Sequence, residues 1–144
     1  MFSLQFRILH ELMHAVGFWH EQSRPDRDEH VTIKWENINH EDRHKNFKKK
    51  ELSRVNMVGR YDMCSIMHYG LWDFGKYNRS GRLMTIEPKH DRFEQECDIK
   101  EIGERQNFTR EDIEKLNVLY DCNRNRKIGT IRYVYFNFHT ERAL

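Results

Sequence analysis

Apolar positions near the start of the chain recur at the three- and four-residue spacing of a helix. The positions that share this spacing are Leu4, Ile8, Leu12, Ala15 and Val16. Because residues so spaced lie on one side of a helix, they predict an amphipathic helix with these side chains on its buried face. Gly17 can adopt the left-handed conformation that ends helices, so it predicts where this helix stops.

The pattern beyond this helix predicts fewer elements. Residues 31–33 favour a short extended strand, and residues 34–60 indicate a polar helix or loop region with few apolar anchors. Thr109 and Asp112 have the spacing of a capping box that opens a second helix. The side chains predicted on the buried face of that helix are Ile113, Leu116 and Tyr120.

Three histidines on and just after the first helix are candidate metal ligands. His10 and His14 are four residues apart and project from one face, while a turn at Gly17 could return His20 to the same ion. Three neutral imidazoles favour zinc over calcium or magnesium, which prefer oxygen ligands. Three protein ligands leave a position for water, so the spacing predicts one catalytic zinc per chain.

Glu11 follows the first of these histidines and is not the natural third ligand. Its carboxylate could therefore take a proton from the metal-bound water as a general base. The simpler interpretation is an amphipathic helix that happens to carry histidines. The full pattern His-Glu-x-x-His-x-x-Gly-x-x-His is too rare by chance to favour that interpretation.

A second motif lies downstream and suggests a family. Residues 65–69 read Ser-Ile-Met-His-Tyr, which has the form of a Met-turn. Together with residues 18–28, the zinc motif and this turn resemble the astacin family of zinc endopeptidases, a branch of the metzincins. The resemblance covers about residues 8 to 122. It implies an α+β, zincin-like metzincin fold and protein or peptide substrates.

The resemblance also implies an incomplete fold. In astacins a twisted N-terminal sheet precedes the active-site helix, whereas here that helix opens the chain. We therefore expect the C-terminal half of a catalytic domain, with an active-site helix, a loop-rich C-terminal subdomain, the Met-turn and a C-terminal helix beneath the metal region. Residues 1–122 would form this partial peptidase domain, and residues 123–144 a tail of unknown character.

The resemblance assigns roles around the Met-turn. Met67 would form an apolar floor under the metal without binding it. Tyr69 would be a further metal ligand that swings away during turnover, and its phenol would then stabilise the oxyanion. His68 would point away from the metal.

Two further residues receive roles from the same resemblance. Arg105 would line the pocket for the substrate residue after the scissile bond and favour Asp or Glu there, although Glu104 replaces the usual glutamine. The simpler interpretation of Arg105 is a surface arginine. Glu21 matches a family residue that binds the new N-terminal amino group exposed when the pro-peptide is removed. We expect that partner of Glu21 to be absent in this chain.

The three cysteines cannot all pair within one chain. By resemblance, Cys122 matches a cysteine whose partner lies in the N-terminal half of the domain. Cys97 is interpreted as a local addition. Cys64 is expected to be a small, partly buried filler, with a thiolate that competes for zinc as the alternative.

Composition limits the other function classes. The 25 basic and 23 acidic residues give a net charge of +2, which does not indicate a nucleic-acid partner. No apolar stretch approaches the roughly 20 residues that span a bilayer, and the first fifteen residues lack the apolar run of a signal peptide. An extracellular, secreted setting is implied by the resemblance alone.

Two functions of different class follow from the sequence. The first is a zinc-dependent metalloendopeptidase that hydrolyses peptide bonds. The second is a truncated, non-catalytic zinc-binding fragment that keeps the metal site without the substrate cleft.

Overall fold

The computed structural model describes residues 4–51, 58–89, 98–104 and 107–122. Its helices and strands are α1 (Leu4–Ala15), β1 (Val31–Ile33), α2 (His40–Phe47), β2 (Tyr77–Asn78), β3 (Gly81–Arg82), β4 (Ile86–Pro88) and α3 (Arg110–Leu119). Short 3-10 turns lie at Glu21–Ser23, Arg27–Glu29, Trp35–Asn37 and Ile99–Glu101. None of these helices is long and apolar enough to cross a membrane.

The predicted first helix is present, but four of the five positions predicted on its buried face are exposed, and of the five Val16 alone packs inward. The exposed fractions of Leu4, Ile8 and Leu12 are 75%, 51% and 54%. The side chains that pack inward are Phe6, Leu9, Met13 and Val16. Both sets have helical spacing, so α1 is apolar on two sides, and periodicity alone does not say which side meets the rest of the chain.

The described residues form two small antiparallel sheets, of which one joins distant segments and the other is a local hairpin. The predicted strand at residues 31–33 is confirmed as β1, and it pairs with β4 so that Ile33 lies opposite Ile86. Strands β2 and β3 form a short hairpin with Tyr77 opposite Arg82. The β1–β4 pairing brings its apolar residues into the larger of two cores, where Phe47 is also fully buried. The described residues of the region 34–60 are thus better anchored, at Ile38 and Phe47, than their polar composition predicts.

The smaller core lies under α1. Met13, Ile66 and Met67 form its fully buried centre. Phe108 and Leu116 pack against this centre, so the segment before α3 and α3 itself lie beneath α1. Burial of these side chains supplies most of the local stabilisation, at roughly 25 cal/mol per Å² of apolar surface.

The capping box at the start of α3 is confirmed, whereas the predicted buried face of this helix is wrong in two of its three positions. Thr109 Oγ1 accepts a hydrogen bond from Asp112 N, and the Asp112 carboxylate accepts one from Thr109 N. The exposed fractions of Ile113 and Tyr120 are 38% and 54%. Asp112 and Lys115 are buried instead, at 1% and 2%, because each has a specific polar partner on the facing segments.

Cys64 is buried in the larger core, as expected of a filler, but it is also disulfide-bonded, so the alternative of a zinc-competing thiolate is wrong. A disulfide requires two Cα atoms within about 7 Å, and sequence spacing alone does not reveal such proximity. Cys122 is a free, exposed cysteine. Cys97, expected to be a local addition, lies outside the described residues, as does the predicted tail at 123–144.

Candidate metal centre

The end of α1 turns the chain back toward its own histidines. Gly17 has φ of +96°, a value that residues other than glycine rarely adopt. Gly17 N donates to His14 O and Phe18 N donates to Met13 O, both at 3.0 Å, which is the hydrogen-bond pair of a Schellman motif. The reversal carries residue 20 back beside the helix.

The three candidate ligands meet as predicted. One nitrogen from each of His10, His14 and His20 lies within 4.8 Å of the other two. The Nε2 atoms of His10 and His14 are each 3.2 Å from Nε2 of His20. Nitrogens bound tetrahedrally to one zinc at the usual bond length are separated by roughly 3.3 Å, so the spacing fits such an ion.

Hydrogen bonds fix which nitrogen of each helical histidine faces the centre. His10 Nδ1 donates to Ile66 O at 2.9 Å, and His14 Nδ1 donates to Phe18 O at 2.8 Å. A carbonyl oxygen only accepts, so each Nδ1 carries the proton and each Nε2 keeps a lone pair. Both lone pairs face His20 Nε2, which can donate at most one hydrogen. A cation between them resolves this conflict.

The third histidine is held in its neutral form. Burial, with smaller contributions from the neighbouring His14 and His10, lowers the pKa of His20 to about 3. A metal binds imidazole through an unprotonated nitrogen, so His20 is available as a ligand at neutral pH. Lys50, whose Nζ lies 3.8 Å from the Trp19 ring centroid, also lowers this pKa.

Glu11 lies on α1 directly after the first ligand. It is exposed, and its carboxylate makes no hydrogen bond or ion pair with any residue that the structure describes. Its place beside His10 in the helix is the observation that bears on a role as general base.

Two residues of the segment 65–69 lie beside the histidines, Ile66 through its carbonyl oxygen and Tyr69 through its ring. Met67 is 1% exposed within the core under α1. The Tyr69 ring lies 4.5 Å from the His20 ring, centroid to centroid, and burial raises the pKa of the Tyr69 phenol to about 12. His68 is turned to other partners: Tyr61 Oη lies 2.8 Å from its Nε2, and its Nδ1 donates to Tyr69 O at 2.6 Å.

Glu21 has a cationic partner that sequence reasoning did not find. Its Oε1 accepts from Lys115 Nζ at 2.6 Å, from Asp62 N at 2.9 Å and from Arg24 Nη1 at 3.3 Å. Burial raises the pKa of Glu21, and the two cations oppose that shift. The one sequence signal for Lys115 is its i, i+3 spacing from Asp112, which puts both on one face of α3.

The predicted specificity residue Arg105 lies outside the described residues. The described part of its loop packs close to the site. At Gly103, an added Cβ would lie 2.3 Å from the Gly70 backbone, directly after Tyr69. The role of Arg105 stays a prediction.

Comparisons with known proteins give one consistent result. A family profile described as Astacin, a peptidase family, matches residues 5–121. Zinc metalloproteinase nas-13 of Caenorhabditis elegans is 44% identical over 116 residues, which cover 80% of this chain and 23% of that protein. Human Tolloid-like protein 1 is 44% identical over 117 residues, which cover 80% of this chain and 11% of that protein.

A solved structure matches as well. High choriolytic enzyme 1, a hatching enzyme zinc-protease from the medaka Oryzias latipes, gives a TM-score of 0.64 at 41% identity. The match covers 81% of this chain and 52% of that chain. The chain thus spans less than a quarter of the length of the two curated relatives named above.

The similarity confirms the α+β, zincin-like metzincin fold over the matched residues. Because the family profile spans residues 5–121 of the 144, the chain belongs to the astacin family of peptidases.

Proposed function

We propose that the chain is a zinc-dependent metalloendopeptidase. His10, His14 and His20 would hold the ion, and the observation that carries this assignment is the convergence of their Nε2 atoms at 3.2 Å. The names of the relatives, which describe zinc proteases, support the metal and the reaction class. Protein or peptide substrates follow from the peptidase family.

The reaction is peptide-bond hydrolysis. When bound, zinc supplies Lewis acidity and lowers the pKa of a water molecule from 15.7 toward about 7. Glu11 accepts the proton as that water attacks the scissile carbonyl, and then delivers it to the leaving amine. We assign Tyr69 as a further ligand that swings away during turnover, after which its phenol donates a hydrogen bond to the developing oxyanion, and Met67 as the apolar floor.

Metal loading tests this proposal directly. The chain washed with chelator and reloaded with zinc should contain close to one zinc per molecule by elemental analysis. Cleavage of casein should be lost on chelation and return on reloading, because the three histidines alone supply no Lewis acid. Cleavage that survives complete removal of the metal would contradict the proposed reaction.

Arg105 is our candidate for substrate selection. A guanidinium that meets a substrate carboxylate in a partly desolvated pocket makes hydrogen bonds worth about 1.5–3 kcal/mol. We expect Arg105→Ala to lose about ten- to a hundredfold of the preference for Asp or Glu after the scissile bond, measured on a peptide library. The neighbouring Glu104 would blunt the preference. An unchanged residue distribution at that position removes Arg105 from the pocket.

A second function, zinc binding without catalysis, is favoured by one observation. The match covers 52% of the hatching enzyme chain, so the three metal ligands come together in a region smaller than that protease. One zinc per molecule with no detectable cleavage would support this alternative. For residues 1–122 we propose a partial peptidase domain, and for the protein an extracellular setting, as suggested by the family.

A further inference from the structure

We propose that the buried ion pair between Glu21 and Lys115 positions His20 for metal binding. The proposal rests on the proposed zinc function and adds a residue to it. Glu21 is the immediate neighbour of His20, and Lys115 reaches it from α3, 94 residues away. Lys115 would therefore act on the metal through the backbone of the third ligand, as a positioning residue.

Glu21 is the point where three segments are joined. Its backbone N donates to Met67 O at 3.0 Å, and its Oε1 accepts from Asp62 N at 2.9 Å. The same oxygen accepts a hydrogen bond from Lys115 Nζ at 2.6 Å. The residue after His20 is thus tied to the Met-turn, to the segment before that turn and to α3. A shift of Glu21 would move His20, because the two share a peptide bond.

The Glu21–Lys115 ion pair is enclosed by the surrounding protein. The Lys115 and Glu21 side chains are 3% and 7% exposed. Gly59 makes room for the lysine stem, since a Cβ at that position would lie 3.0 Å from Lys115 Cγ. An isolated charge at such a depth is costly, whereas a paired and hydrogen-bonded one is tolerated. The carboxylate therefore keeps its position only while a cation remains beside it.

Lys115 is the cation dedicated to this carboxylate. The other nearby cation, Arg24, binds Asp26 through Nε and Nη2 at 2.9 and 2.8 Å and also donates to backbone carbonyls of residues 58–60. Its contact to Glu21 is longer, at 3.3 Å. Lys115 has no second carboxylate partner among the described residues. Loss of its ammonium would leave Glu21 under-compensated.

The test measures metal affinity and metal geometry in the 144-residue chain. We expect Lys115→Met, which keeps an unbranched stem and removes the charge, to weaken zinc binding by about ten- to a hundredfold, the range found for residues that orient metal ligands. Zinc affinity is measured by competition with a chromophoric chelator. The visible absorption band of the cobalt-loaded chain should also shift, because His20 would approach the ion differently. Lys115→Arg, which retains a cation, should bind zinc more tightly than Lys115→Met.

The matched control is Lys34→Met. It removes the lysine directly after β1 from a surface ion pair with Glu87 on β4, at 2.5 Å, outside the histidine group. We expect parental zinc affinity and an unchanged cobalt band for this variant. Circular dichroism of the metal-free chains at the same temperature separates a loss of fold from a loss of geometry.

The outcomes distinguish this inference from the proposed function. If the parent chain binds no zinc, the proposed function is overturned. If the parent binds zinc and folded Lys115→Met binds it within about threefold with the same cobalt band, the inference is overturned. Should Lys115→Met fail to fold, the double variant Glu21→Gln with Lys115→Met, in which neither member of the pair is charged, takes its place under the same criteria.

Discussion

His20→Ala is expected to lower zinc affinity by far more than about a hundredfold. Loss of a residue that merely orients a ligand costs about ten- to a hundredfold, and loss of a ligand itself must exceed that. In the structure, Nε2 of His20 lies 3.2 Å from the Nε2 atoms of both His10 and His14. Without it, two helical histidines remain, and water must complete the coordination. Competition with a chromophoric chelator measures the affinity.

His40→Ala is the matched control for this experiment. His40 is an exposed residue at the start of α2, outside the histidine group, so its removal deletes an imidazole without touching the site. It should bind zinc as the parent does. If His20→Ala retained affinity within a few-fold of the parent, the assignment of the third ligand would be wrong.

The histidine group is predictable from sequence because its geometry is local. His10 and His14 are held one turn apart by the helix, and His20 is returned by the reversal at Gly17 with the backbone hydrogen bonds around it. These local features bring the three residues near one another, whereas the contacts that orient them, from Ile66 O to His10 and from Lys115 to Glu21, come from distant segments. The prediction of the capping box at Thr109 succeeds for the same reason.

The polar side of α3 is not predictable in this way. Charged residues such as Lys115 and Asp112 are expected in solvent, because buried charges are rare without partners. Their partners, Glu21 and Ser65, lie 94 and 47 residues away, and no local sequence pattern predicts these contacts. Asp112 Oδ1 accepts from Ser65 Oγ at 2.6 Å, and this charge-assisted hydrogen bond offsets the cost of its burial.

The error on α1 has a different origin. Leu4, Ile8 and Leu12 lie on one side of a helix whose other side is also apolar. The sequence of the helix alone does not show which of the two sides is buried. The side that packs inward is the one that meets Ile66 and Leu116, from segments far along the chain. The disulfide at Cys64 escapes prediction because such pairing also depends on proximity across the fold.

Glu11→Gln is expected to keep zinc and lose proteolysis. The amide has nearly the shape of the carboxylate but cannot accept a proton, so the general base is removed while the three histidines remain. Removal of a general base costs about a hundredfold to ten-thousandfold in rate. We therefore expect one zinc per molecule, unchanged zinc affinity, and casein cleavage reduced by at least about a hundredfold relative to the parent.

Glu41→Gln provides the control, because Glu41 is an exposed glutamate near the start of α2, outside the histidine group. It should retain both zinc and the parental cleavage rate, which excludes a general effect of lost surface charge. Measurement of zinc content beside cleavage separates the two possible failures of Glu11→Gln. If the variant lost zinc, Glu11 would belong to the metal site itself. If it kept zinc and cleaved casein at the parental rate, another group would have to accept the proton, and the carboxylate beside the first ligand would have no part in the reaction.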